Sequence, residues 1–203
     1  MNTIKNAPIA KDTPIAKDTR TAILDAAQDM VQRQSISGVS FQELAKRTGI
    51  KKGSMYYHFE SKDDLSIALL ERAAAEMKDS FTRGEGKSPT QRLEYYFNIY
   101  RFHIIPSEKM CPGGSFAGEW GKLTDPVQAQ VQRLINEQTQ CLQQVLSAGI
   151  ACGEFHNHGQ SDEDLTQWLL ACIQGGLLTS RVAGNREPFE AAIKVATQYL
   201  THS

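Results

Sequence analysis

From Thr21 onward, apolar residues recur every three or four positions and no stretch alternates with a period of two. That pattern predicts an all-α chain. Ile23, Ala27, Met30 and Val31 share one face of a first helix over about 21–34, and Gly38 closes the loop after it. Ser40 and Glu43 have the S-x-x-E spacing of a capping box, so a second helix opens there with Phe41, Leu44 and Ala45 inward. Gly49 suits a left-handed C-cap. A short third helix is expected from near Lys52 to Phe59. Ser61 and Asp64 mark a fourth start, and Ile67, Leu70, Ala74, Met77 and Phe81 carry that helix to about Arg83.

The second half continues with helical spacing. Leu93, Tyr96, Phe97, Tyr100 and Ile104 form an aromatic stripe over about 89–105, with His103 beside it. Pro112 suits the first helical position, which puts Cys111 at an N-cap. Helices are expected over about 125–152, closed by Gly153, and over about 162–183 and 187–201. Gly175-Gly176 falls inside the first of the last pair. Two mid-helix glycines cost about 1 kcal/mol each against alanine, a penalty that close approach of another helix offsets. At the other end one hexapeptide, Pro-Ile-Ala-Lys-Asp-Thr, occurs twice over 8–19. Its prolines and balanced charge predict a flexible tail over 1–19.

Composition narrows the function classes. The 203 residues are 40% hydrophobic with a net charge of −1, so a core is attainable and no global charge announces a polyanionic partner. A basic footprint is local: Lys46, Arg47, Lys51 and Lys52 occur with no acid among them. The four cysteines show no paired zinc spacing, and the two histidines of His156-Asn157-His158 lack a third ligand nearby. No metal or cofactor is expected. With no signal peptide or membrane-spanning run in view, a cytoplasmic protein with free thiols is expected. No nucleophile elbow or phosphate loop supports an enzyme.

Two short helices joined by a tight glycine turn and braced by a preceding helix predict a helix-turn-helix, whose second helix enters the major groove N-terminal end first. That end offers Lys51, Lys52, Gly53 and Ser54. Gly53 lets the backbone come close to DNA, and Met55 and Phe59 are spaced to hold the helix to its core. Tyr56, Tyr57, His58 and Lys62 are then left for phosphate contacts, which set register without reading sequence.

Residues 20–66, with Gly49-Ile50-Lys51-Lys52-Gly53-Ser54-Met55-Tyr56-Tyr57-His58-Phe59 followed by Ser61-Lys62-Asp63-Asp64-Leu65, resemble the DNA-binding domain of the TetR family of bacterial transcriptional regulators. The resemblance implies DNA contacts from Ser40, Lys51, Lys52, Gly53, Ser54, Tyr56, Tyr57, His58 and Lys62. It implies a homodimer on a palindromic operator of double-stranded DNA, formed through helices at about 162–183 and 187–201. It also implies a C-terminal domain, 67–203, that binds a small organic effector. The double lysine at 51–52 is less usual in that family, and the weakly basic tail departs from relatives with arginine-rich arms. Met110-Cys111-Pro112-Gly113-Gly114 is similar, with Met110 in place of glycine, to the Gly-Cys-x-x-Gly segment of a subgroup that senses small, sometimes reactive, organic compounds.

The residues themselves leave the stripe open between plain core and pocket. Two tyrosine hydroxyls and a histidine on it need partners if buried. The pocket reading takes Tyr96, Phe97, Tyr100, His103, Cys111, Phe116, Trp120, Trp168 and Cys172 as effector-binding. A thiol at an N-cap feels the helix dipole and can have a lowered pKa, so Cys111 is either a reactive sensor or a small buried cysteine. Cys141 and Cys152 are expected to be buried.

Overall fold

The computed structural model describes residues 15–104 and 109–202, with the backbone alone at 15–18 and 102–104. Helix follows helix, with no strand among the described residues: α1 (Ile15–Gln34), α2 (Phe41–Thr48), α3 (Lys52–His58), α4 (Lys62–Arg83), α5 (Pro89–Ile104), α6 (Pro112–Ala117), a 3₁₀ turn at Trp120–Lys122, α7 (Asp125–Cys152), α8 (Asp162–Ala183) and α9 (Glu187–Thr201). Helix α1 starts earlier than the apolar period suggests. Residues 15–19, expected as tail, are its first turns, and the rest of the expected tail lies outside the described residues.

The caps explain where the short helices begin and stop. Ser40 Oγ accepts the N–H of Glu43 at 3.2 Å, but the Glu43 carboxylate turns to Arg47 at 3.3 Å, so only half of the capping box forms. Ser61 Oγ accepts the N–H of Asp64 at 3.1 Å, and the Asp64 carboxylate accepts the N–H of Glu60. Gly49 sits at φ 70°, a left-handed conformation that ends α2 within one residue and lets Ile50 N–H reach the Ala45 carbonyl.

Two cores divide the molecule. The first joins Ile23, Ala27 and Met30 of α1 to Leu44, Met55, Phe59 and Leu65, all buried. It also takes in Phe116, Val127 and Val131 from the second half. The helix-turn-helix unit therefore does not close on itself at residue 66: α4 runs through that point, and α6 and α7 complete its core. The second core gathers Phe81, Leu93, Tyr96, Phe97, Leu142 and Leu146 against Leu169, Ile173, Phe189 and Ile193.

Close approach requires glycine at two positions here. A Cβ on Gly176 would lie 3.1 Å from the Phe189 Cα, so α8 and α9 come together there. A Cβ on Gly149 would run into the ring of Phe155. Gly175, next to Gly176, meets nothing. It lies on an outward stripe with Ala171, Leu178 and Val182, and α9 carries a matching stripe of Ala191, Val195 and Tyr199. Val182 is 84% exposed and Val195 61%.

Candidate functional site

The first candidate site is the outer face of α2, α3 and the start of α4. Met55 and Phe59 are completely buried and anchor α3. Between them Tyr57 is 83% exposed, with its ring edge-on to His58 at 5.3 Å. Tyr56 is half-exposed and steadied by Phe41 of α2, edge-on at 5.2 Å. Lys51 caps α3 through its backbone with no side-chain bond, and Lys52, Gly53 and Ser54 are exposed. Nothing lies within 4 Å of a Cβ built on Gly53, so the first turn of α3 is open to a partner. Lys62 is exposed and reaches back to the Ser37 carbonyl at 3.4 Å. Arg20 is drawn away from this surface, its guanidinium 4.9 Å from the centre of the Phe59 ring.

The second is a cavity of about 100 Å³ between the two cores. Its walls come from Gln28 and Gln32 of α1, Glu76 and Met77 of α4, Tyr96, Ile99 and Tyr100 of α5, the Met110–Gly113 strap, and Leu134 and Gln138 of α7. One helix of the helix-turn-helix unit is thus part of the wall. The strap is fastened to that helix. Met110 N–H donates to the Gln32 carbonyl at 2.9 Å, and Lys109 Nζ pairs with Asp29 at 2.8 Å. Lys109 is the main cause that holds the Asp29 carboxyl below the usual range. Farther along, the Glu119 carboxylate accepts the N–H of Ser37 at 2.9 Å. Burial works against that charge, but the bonds from Ser37, Ser35 and Lys122 prevail and bring Glu119 to about 2.

At the inner end of the cavity Tyr96 and Tyr100 hydroxyls lie 2.8 Å apart, and Gln138 Nε2 donates to both. Burial pushes both phenols up. Cys111 caps α6 as its position before Pro112 predicts: its sulfur accepts the N–H of Gly114 at 3.2 Å and its S–H donates to Gln174 Oε1 at 3.2 Å. The lowering that an N-cap position can bring is outweighed here. Burial pushes the thiol up, and the Gly114 and Gln174 bonds only offset part of that shift.

An exposed polar recognition helix on a buried methionine and phenylalanine, backed by a helical domain with a cavity, is a regulator's layout. Two family models match: residues 23–69 fit "Bacterial regulatory proteins, tetR family" and residues 89–196 fit "Tetracyclin repressor-like, C-terminal domain". The chain belongs to the TetR family. It is a transcriptional regulator and not an enzyme. It is 25% identical over 189 residues to the HTH-type transcriptional repressor DhaR of Mycobacterium sp. (strain GP1), covering 91% of this chain and 93% of that one. It is 26% identical over 189 residues to the HTH-type transcriptional repressor NemR of Escherichia coli (strain K12), covering 86% and 90%. Among solved structures, a TetR family regulator from Agrobacterium tumefaciens superposes with a TM-score of 0.86 at 23% identity over 91% of this chain and 98% of that one. The reduced form of E. coli NemR superposes at 0.78 with 21% identity, over 92% and 98%.

Within this TetR-family fold, the residues expected to bind effector part company. Tyr96, Tyr100 and Cys111 line the cavity together. Phe97 is buried in the second core, its ring 6.3 Å from that of Tyr96. Phe116 is buried in the first core. Trp120 is 43% exposed in the 3₁₀ turn. Trp168 packs on Tyr199 at 5.1 Å, at an outer groove of α8 and α9. Cys172 is half-buried on α8 and does not line the cavity. The His103 side chain lies outside the described residues. Cys152, expected to be buried, is exposed, whereas Cys141 is half-buried. Gln28, Gln32 and Gln138 went unread. Gln138 had a signal: it interrupts the apolar face of α7 four residues after Leu134 and four before Leu142, where a buried amide needs partners. Gln28 and Gln32 had none, because the first helix belongs by sequence to the other unit.

Proposed function

We propose that this regulator is a ligand-responsive repressor that binds a palindromic operator as a homodimer and releases it when a small organic effector enters the cavity. The observation that carries the reading is the cavity wall: Gln28 and Gln32 belong to α1, so an occupant touches the DNA-binding unit directly. An effector shifts the equilibrium only by its differential affinity for two states. A wall that moves with the recognition helices supplies such a difference. Half-sites lie about 34–36 Å apart, and a change of several Å in that separation loses one of the two grooves.

DNA contact is assigned to Ser40, Lys51, Lys52, Gly53, Ser54, Tyr56, Tyr57, His58 and Lys62. The exposed apolar stripes of α8 and α9 favour pairing of two copies through those helices, and Gly175, open within one copy, suits close approach of the other. Repression is favoured by the similarity to the transcriptional repressors DhaR and NemR. A cytoplasmic location follows from that role.

Sensing by covalent or redox chemistry at Cys111 is the second reading, favoured by its place in the cavity wall and by the similarity to NemR. The raised thiol pKa weighs against it. Selection of the full chain on random-sequence duplexes tests the main reading. Enrichment of a palindrome supports it, and enrichment of no sequence at any salt concentration refutes it.

A further inference from the structure

Hydrogen-bond accounting at the inner end of the cavity leaves a remainder. Tyr96 and Tyr100 together have two hydroxyl protons, and one of them lies in the bond between the two oxygens. Both N–H groups of the Gln138 amide are directed at those same oxygens. The second hydroxyl proton has no acceptor among the described residues, and Gln138 Oε1 has no donor. All three side chains are buried, with Tyr96 at 2% and Tyr100 at 7% exposure, so whatever reaches their polar atoms does so through the cavity. Each unpaired group costs free energy until it finds a partner. Turning the amide round would give the second hydroxyl proton to Gln138 Oε1 and leave two amide N–H groups spare, so in either orientation the corner has a proton left for an acceptor. The three residues also line the cavity, so a cavity occupant is what can complete them.

Size and charge narrow that occupant. A cavity of about 150 Å³ holds a benzene ring, and this one has about 100 Å³. Among the described residues of its wall Glu76 alone carries a charge, and Arg72 pairs with it at 3.4 Å. An anion would be stripped of water here with no described cation to receive it, and a cation would find its one carboxylate already paired. Burial keeps both phenols neutral, which also denies a cation a phenolate partner.

We infer that the Tyr96–Tyr100–Gln138 corner selects a short, uncharged molecule that carries a hydrogen-bond acceptor, which meets the proton the corner leaves spare. The inference rests on reading this cavity as the effector site. It names the class: small neutral polar molecules, with the chain of the ligand lying against Met77, Ile99 and Leu134.

Methionine methyl groups give a test that locates the ligand. Of the five methionines, Met77 and Met110 line the cavity, while Met30 and Met55 are buried in the first core. The full chain, labelled with carbon-13 at the methionine methyls, is titrated with four molecules of similar shape: propionamide, propionate, propylammonium and isopentane. Propionamide is expected to shift the Met77 and Met110 signals ahead of Met30 and Met55, and to bind at least about fivefold more tightly than the other three. Tyr100→Phe is expected to weaken propionamide by a similar factor and to leave isopentane unchanged. Equal or tighter binding of propionate or propylammonium overturns the neutral class and leaves the site standing. Equal binding of isopentane, or no effect of Tyr100→Phe on propionamide, shows that the corner reads no polarity and overturns the inference. No response at Met77 and Met110 to any of the four removes both the inference and the effector cavity. If the two signals respond to propionamide while operator affinity stays constant, the inference holds and ligand-driven release fails.

Discussion

The backbone N–H of Met110 donates to the Gln32 carbonyl at 2.9 Å, tying the lip of the cavity to the last turns of α1. One residue away Lys109 pairs with Asp29, and Asp29 in turn is 3.5 Å from Arg47 of α2. The strap therefore connects the cavity to the helix-turn-helix through two bonded steps. Lys109→Met should lower the ratio of operator affinities measured without and with a saturating cavity ligand by about fivefold, within the usual span of coupling between sites. An unchanged ratio takes the strap out of the mechanism.

The exposed face of α3 makes different demands of its residues. Tyr57→Phe and Lys62→Ala should weaken binding to cognate and scrambled duplexes alike, because phosphate contacts carry no sequence information. Lys62→Ala should also reduce the salt slope by about 1. Lys51→Ala should change base preference, at about 1–3 kcal/mol for the base it reads. Equal losses on both duplexes for Lys51→Ala would refute its reading role.

Glu119 predicts a pH dependence. Its folded pKa, about 2, lies below the ordinary value of 4.5. The stabilisation is therefore present above pH 4.5 and is lost as pH falls towards 2. Glu119→Gln should unfold at lower denaturant than the parent at pH 7, and the gap should narrow through the window from 4.5 to 2. A gap that is constant across that window assigns the effect to packing rather than to the charge.

Most of the fold was legible because its signals are local. The Ser40 and Ser61 caps, the left-handed Gly49 and Gly153, and the Cys111–Pro112 helix start each depend on a few adjacent residues. The cavity was legible only in part. Tyr96 and Tyr100 announced themselves as polar atoms on an apolar stripe. Phe116, Trp120 and Trp168 share their aromatic character but went to a core, a surface turn and an outer groove, because tertiary placement and not residue type decides what a ring meets. Phe116 and Val127 lie far along the chain from the residues whose core they complete, so no local signal joins them to it.

The cysteines should separate by burial. Cys152 is exposed, whereas burial pushes the Cys111 thiol up. A thiol reagent at pH 7 should label Cys152 first and Cys111 slowly, as peptide mapping would report. Rapid labelling of Cys111 would revive the reactive-sensor reading.

The stripes of α8 and α9 predict a dimer that two charges can break. Leu178→Glu with Val182→Glu alters residues 54% and 84% exposed within one copy, so helix content should persist while light scattering reports a monomer. Retention of a dimer moves the interface elsewhere. By contrast, Gly176→Ala should lose about 1–3 kcal/mol of stability through crowding against Phe189.

In the proposed complex a dimer reads DNA through α3 and neutralises phosphates on both half-sites. Titration of the selected palindrome with the full chain, followed by anisotropy between about 50 and 200 mM salt, tests it most directly. Two chains per duplex are expected, with an affinity that falls linearly with salt on logarithmic axes and a line that Lys62→Ala flattens. One chain per duplex, or an affinity indifferent to salt, would contradict it.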